Sequence, residues 1–281
     1  MRMLFAVLGL LIVIPLAQAA APSSPVDPAA DLKAFQGYFT SRFPHLALKD
    51  YVDGPYNFSK SERAQWQQIM EFPPYEFALQ DGKKLFETSF PDGKSYASCF
   101  PHGGIGIAQT YPKFDAKTGK VVTLGIALNQ CRTANGMKRL SLTKGALASI
   151  ETYMVHASRG RKIDVTIPDD PRALAAYEAG KEYFYSRRGQ LNFSCASCHV
   201  QAAGKRLRGD VLAPALGMAA VFPIYRSKWG DMGTLVRRFI GCNKKVKAEP
   251  VKADSARYRD LAYFLTYMSN GLPMAAPGAR P

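Results

Sequence analysis

Two cysteines three residues apart with a histidine directly behind them, Cys195-Ala196-Ser197-Cys198-His199, are the string in this chain whose spacing by itself defines a chemistry. Thiols so placed add across the two vinyl groups of one heme, and the histidine that follows brings its imidazole beneath the iron. A CxxC pair serving as half a zinc site would need a second such pair, and the sequence has none. Cys195 and Cys198 as attachment thiols, with His199 as an axial iron ligand, therefore predict heme c, one covalently bound per chain.

What completes the iron's coordination decides what such a protein does. In the second half the candidates are Met218, Met232, Cys242, Met268 and Met274. Methionine is the usual sixth ligand of an electron-transfer cytochrome, and spacing alone favours one here. Met268 shares a helical stripe with Leu261, Phe264 and Leu265, so it reads as core. Cys242 lies within Arg237-Arg238-Phe239-Ile240-Gly241-Cys242-Asn243-Lys244-Lys245, and neighbouring cations lower a thiol's pKa. Arg238 precedes it by four residues, so on a helix guanidinium and sulfur share a face. A guanidinium there can fork onto two oxygens of a bound oxyanion. The same residues also suit a small buried apolar cysteine beside a solvated basic face. Local chemistry thus leaves open a plain electron carrier, with Met218 or Met232 on iron, and a protein with sulfur chemistry of its own.

The elements that must position these residues come twice. Gly82-Lys83-Lys84-Leu85-Phe86 matches Gly180-Lys181-Glu182-Tyr183-Phe184, each read as the start of a short helix running toward a cysteine. The first helix leads to Tyr96-Ala97-Ser98-Cys99-Phe100, where Tyr96 replaces the first heme cysteine and Phe100 replaces the histidine. Leu147 to Met154 matches Leu261 to Met268 at five of eight positions, and Cys131 corresponds to Cys242. An ordered set of matches indicates duplication. The expected fold is mainly α, two tandem cytochrome-c-like domains over 20–165 and 166–281, the first without heme.

Within this plan Asp170-Pro171 starts the helix that enters the heme motif, and 163–168 reads as an extended linker. The apolar run Val121 to Leu128 suggests a short hairpin arm, and the tail from Pro273 to Pro281 reads as mobile. Cys99 and Cys131, the two cysteines of an exported domain without heme, are expected to form a disulfide. Closing a loop of about 30 residues would contribute about 3 kcal/mol.

Met1-Arg2-Met3, an apolar run to Leu16 and Ala17-Gln18-Ala19 follow the plan of a secretory signal over 1–19. The run is too short to span a bilayer, so the expected location is the periplasm, with no membrane span. The net charge of +15 steers anions and acidic partners. Export argues against nucleic acid and for small oxyanions and a docking protein. Lys205, Arg206, Arg208, Arg226, Lys228, Lys244 and Lys245 read as the basic face for them.

Arg-Arg-Phe-Ile-Gly-Cys-Asn at 237–243, Val-Lys-Ala-Glu-Pro at 246–250, Arg208-Gly209-Asp210-Val211-Leu212-Ala213-Pro214 and the two-domain plan together resemble the SoxA family. These are thiosulfate-handling cytochrome subunits of the bacterial sulfur-oxidising system, and the eroded first motif is similar to their one-heme type. The resemblance implies that Cys242 is both distal iron ligand and catalytic sulfur, carried in the family as a persulfide. It also implies that Arg238 holds the sulfonate end of thiosulfate. Lys247 occupies a position where it implies arginine, as a second substrate-binding cation. The implied partners are a SoxX-like c-type subunit and a SoxYZ-like sulfur carrier. The implied activity is that of an L-cysteine S-thiosulfotransferase.

Overall fold

The structure, a computed structural model, describes residues 26–280, so the expected signal sequence lies outside the described residues. Helix α1 (Pro28–Arg42) begins where Asp27 accepts hydrogen bonds from the Ala29 and Ala30 amides, with proline at the first turn. A 3₁₀ stretch, Leu48–Asn57, and α2 (Lys60–Glu71) follow. Then comes a unit of α3 (Glu76–Glu87), the hairpin β1 (Lys113–Asp115) and β2 (Lys120–Val122), α4 (Leu124–Ala134) and α5 (Ala146–His156).

The unit is built again from α6 (Pro171–Tyr185), β3 (Arg206–Leu207), β4 (Asp210–Val211), β5 (Ile224–Arg226), β6 (Asp231–Gly233), α7 (Leu235–Lys245) and α8 (Ala256–Tyr267). Only the small β3–β4 hairpin is additional. Thr123 and Thr234 cap α4 and α7 in the same way, each hydroxyl accepting from the amide three residues on. The chain is thus mainly helical, with the expected tandem plan.

Gly82 and Gly180 do not start their helices, as their positions before the cysteines had suggested. They lie inside α3 and α6, where a Cβ would stand 1.9 Å from the Ser149 carbonyl oxygen and 2.0 Å from that of Asp260. Each glycine lets the first helix of its unit lie directly on the last. That close approach is what the repeated glycine encodes.

The expected arm over Val121 to Leu128 is strand only as far as Val122. Thr123 accepts a hydrogen bond from the Ile126 amide and turns the apolar residues after it into the first turns of α4. The tail also departs from expectation. Ala276 and Ala279 are buried, and Gly278–Arg280 forms strand β7, parallel to β5. Free backbone groups on β5 take up the chain end and order it.

The N-terminal arm, assigned by chain order to the first domain, packs on the second unit. Phe35 meets Phe184 and Phe264 edge-on, both at 6.4 Å. Asp31 accepts from the Tyr177 hydroxyl at 2.8 Å and pairs with Lys181 at 2.6 Å. Arg42 donates to the Gln201 and Ala203 carbonyls just beyond the heme motif. One continuous core draws buried residues from both units and from the arm, with a small separate cluster beside it.

In the first unit aromatic side chains fill the place of the motif. Tyr96 is buried, stacks on Phe86 at 5.8 Å, abuts Phe90 at 4.9 Å and accepts a hydrogen bond from the Arg132 guanidinium at 2.8 Å. Phe100 is buried too. The Cys99–Cys131 disulfide is formed. Replacing both with serine is expected to cost about 3 kcal/mol by the loop-closure argument, measured by denaturant unfolding. An unchanged midpoint would show the loop to be held by the aromatic packing alone. Among the described residues no helix is long and apolar enough to cross a membrane.

Candidate active site

The motif cysteines are held by a local serine clasp. Ser194 and Ser197 exchange hydrogen bonds, each hydroxyl accepting from the other's amide at 3.0–3.1 Å. A π-helical turn, Ser197–Gln201, then turns His199 inward. The Ala213–Ala215 strap fixes the histidine twice. Its Nδ1 lies 2.8 Å from the Ala213 carbonyl oxygen, which it meets as a donor, and the Ala215 amide donates to the His199 carbonyl. With Nδ1 so engaged, Nε2 is the free nitrogen, the usual second-sphere arrangement of a metal-ligating histidine.

Helix α7 approaches from the opposite wall, and its register is set by Asn243. Buried, this side chain donates to the Phe239 carbonyl at 2.9 Å and to the Tyr258 hydroxyl at 3.1 Å, and accepts from the Tyr183 hydroxyl at 3.2 Å. One residue thereby pins α7 to α6 and α8. Asn243 belongs to the motif string, yet its anchoring role is visible only when three helices are brought together.

Arg238 and Cys242 both fall within α7, one turn apart. They line a cavity of about 210 Å³ with Cys195, Cys198 and His199, walled by the apolar side chains of Phe184, Leu261 and Leu265. Thiols on one edge, an imidazole on one wall and an apolar lining fit heme c. Burial pushes the Cys195 thiol up to about 11, against a smaller effect of Arg188, and pushes Cys198 up as well. Cys242 behaves oppositely. Burial raises it, but the Arg238 guanidinium, then the His199 ring, then Lys245 overcome that and bring it down to about 6. A thiolate across from an imidazole is a competent second ligand for a bound metal.

The other sequence candidates separate clearly. Met232 is buried in a small cluster with Tyr75, Ala148 and Ala279, away from this cavity. Met268 is in the core as expected, whereas Met218 lines the cavity. Arg237 turns away, donating to the Met232 carbonyl at 3.0 Å and lying over Trp229. Lys247 follows the helix end with φ 58°, is exposed and does not line the cavity, whereas Lys245 does. Of the expected basic face, Lys205, Arg206, Arg208, Lys228, Lys244 and Lys245 are exposed, but Arg226 is buried. Arg280, which the sequence did not single out, lines the cavity as well, carried there by β7.

Known proteins resemble this chain in sequence and fold. The family described as SoxA/TsdA, cytochrome c domain, matches residues 81–163 and 179–274. The chain is 48% identical over 275 residues to the L-cysteine S-thiosulfotransferase subunit SoxA of Allochromatium vinosum, covering 96% of this chain and 98% of that one. It is 47% identical over 251 residues to the same subunit of Chlorobaculum tepidum, covering 89% and 87%. The crystal structure of SoxXA from P. pantotrophus contains a chain that superposes with a TM-score of 0.71 at 29% identity, covering 78% of this chain and 84% of that one.

Proposed function

The chain belongs to the SoxA/TsdA cytochrome c family, and from that premise we propose that it joins thiosulfate oxidatively to a cysteine thiol on a SoxYZ-like carrier, its electrons passing to a SoxX-like cytochrome. Its class, L-cysteine S-thiosulfotransferase, is the one its relatives carry. The observation that supports the finer reading is a thiol held low by Arg238, one helical turn away, and facing His199.

The overall change joins a thiosulfate dianion and a carrier thiolate into a cysteine S-thiosulfonate monoanion and releases two electrons. Arg238 binds two oxygens of the sulfonate end and turns the sulfane sulfur toward Cys242. The Cys242 sulfur then forms the first S–S bond, with loss of the two electrons. The carrier thiolate attacks the sulfane sulfur of that unit, and the Cys242 thiolate leaves. A low thiol pKa makes Cys242 a good leaving group in this second step. Cys195, Cys198 and His199 would hold heme c, which when bound would supply a one-electron acceptor, so the two electrons would leave one after the other to the SoxX-like cytochrome. The single attachment motif argues for one heme per chain, and the secretory pattern at the N-terminus for a periplasmic location.

Thiosulfate-dependent cytochrome reduction, assayed with and without carrier, tests this function. A single round of reduction without carrier, and sustained reduction only with it, supports it. A protein that only relays electrons, with no thiosulfate dependence, would be the plain cytochrome with methionine on iron. Met218 is the methionine placed to serve in that case, and its near-infrared sulfur-to-iron band would betray it. Heme stoichiometry is a separate expectation. A pyridine-hemochrome measurement should return one heme per chain, and two would show that Tyr96 and Phe100 do not exclude the group from the first unit.

A further inference from the structure

Arg226 ends β5 and Arg280 ends β7, and the parallel register pairs these two residues with each other. Residues in register on neighbouring parallel strands project from the same face, with the strands about 4.8 Å apart. Two guanidinium groups are therefore set side by side, and Arg226 is 4% exposed. Arg238 reaches the same space from α7, in a cavity of about 310 Å³ that continues past His199. Like charges so placed oppose one another. Burial and then Arg238 and Arg280 bring Arg226 down to about 10, and burial and Arg238 act on Arg280 in the same sense.

The nearby acids Asp210 and Glu62 offset this only in part, because each is already engaged by other cations. Asp210 is engaged by Lys228 at 3.4 Å and Lys245 at 3.5 Å, Glu62 by Arg206 at 3.3 Å, and Asp53 by Arg63 at 2.9 Å. The Tyr56 hydroxyl is spent on the Ala279 carbonyl. Among the described residues neither Arg226 nor Arg280 forms an ion pair, and the buried Nε of Arg226 has no hydrogen-bond partner. Its remaining neighbour is the Trp229 ring at 5.3 Å. The N-terminal arm roofs the pair: at Gly54, with φ +60°, a Cβ would stand 3.4 Å from Arg280 Nη2. A buried cation left without a paired counter-charge is strongly destabilising, so a site that sets the half-buried Arg280 in register beside the buried Arg226 is suited to an anion between them.

We propose that Arg226 and Arg280 form a clamp for a carboxylate, in the cavity that runs from His199 beneath the N-terminal arm. The anion chemistry, paired oxygens facing two guanidinium forks, would suit either a carboxylate of heme c or the sulfonate of thiosulfate. Position favours the carboxylate. Arg226 lines the cavity behind His199 but not the one that holds Cys242, whereas Arg238 and Arg280 line both. Arg226 therefore fixes the clamp on the far side of His199, and Arg238, one helical turn from Cys242, is the cation placed for the substrate's sulfonate. The inference rests on heme c being held at Cys195, Cys198 and His199, and is independent of the thiosulfate chemistry.

The test uses heme-loaded full-length Arg226→Gln and Arg280→Gln, with Arg226→Lys as the charge-keeping control. The readouts are the heme midpoint potential as a function of pH and the thiosulfate-dependent change in the heme spectrum, neither of which needs turnover. Loss of a cation beside a carboxylate raises that carboxylate's pKa. Each glutamine variant is expected to lower the potential and to move its redox-linked pKa upward by about one unit, a tenfold change in proton affinity; thiosulfate binding is read on Arg226→Gln, whose side chain does not line the Cys242 cavity, and is expected unchanged there. Arg226→Lys should shift the pKa less and in the same direction, and this variant carries the test if the glutamine forms fail to load heme. Thiosulfate binding weakened tenfold with an unmoved pH profile would overturn the carboxylate assignment and give the clamp to the substrate. Variants unchanged in both readouts would overturn the clamp altogether.

Discussion

Cys242→Ala is expected to abolish thiosulfate coupling while the heme stays covalently attached. Attachment requires the Cys195 and Cys198 thiols, and His199 keeps its own anchor at the Ala213 carbonyl, so neither depends on α7. The helix itself should persist, because its register is held by Asn243 through Tyr183 and Tyr258 and not by the cysteine. On the proposed reading, removal of the sulfur takes away the atom that would form the first S–S bond and also a would-be second ligand to the iron. Coupling should therefore fall to background and the absorption spectrum should change, with heme content by pyridine hemochrome unaltered. Preserved spectrum and preserved turnover together would make Cys242 a packing residue. A changed spectrum with normal turnover would keep it as ligand and remove it from catalysis.

Arg238→Ala separates anion binding from ligation. Its guanidinium makes no ion pair among the described residues, so the substitution leaves no buried carboxylate stranded. What is lost is a charge-assisted contact to the sulfonate, about 1.5–3 kcal/mol, or roughly ten- to a hundredfold in kcat/KM. Heme content should be unchanged. Arg238→Lys should recover part of the loss, since an ammonium restores the charge but not the two-oxygen fork. Steady-state thiosulfate kinetics with the carrier present decide the matter. Wild-type kcat/KM in Arg238→Ala would assign the sulfonate to other cations at the cavity, of which Lys245 is the nearest along the helix.

The attachment motif, the duplicated plan and the cysteine pairing were legible because each depends on residue identity at short range or on ordered repetition. Cys195, Cys198 and His199 lie within five residues of one another, and a π-helical turn folds them locally. Arg238 and Cys242 were legible as a pair because a helix fixes what four residues of separation means. Cys99 and Cys131 could be paired by elimination among five cysteines, and the structure joins them.

Other readings failed where neighbours distant in sequence decide the outcome. The motif glycines looked like helix starts, but their purpose is set by the carbonyls of Ser149 and Asp260 on another helix. Met232 stood as a ligand candidate by spacing and is buried instead beside Tyr75 and Ala148. Lys247, which the resemblance implied as a second substrate-binding cation, follows the helix end with a positive φ and does not line the cavity.

By itself the sequence pointed to heme c, to His199 as the residue that would meet the iron, and to the thiol that stands in positive surroundings, since these readings rest on covalent chemistry and local geometry. Tertiary structure alone decided that the chain's last residues return as a strand beside β5, that the N-terminal arm crosses to the second unit, and that Arg226 leaves the surface to face Arg280. The reason is that strand pairing and burial are settled by backbone groups and apolar surfaces brought together from far along the chain, and no local spacing records which of them will meet.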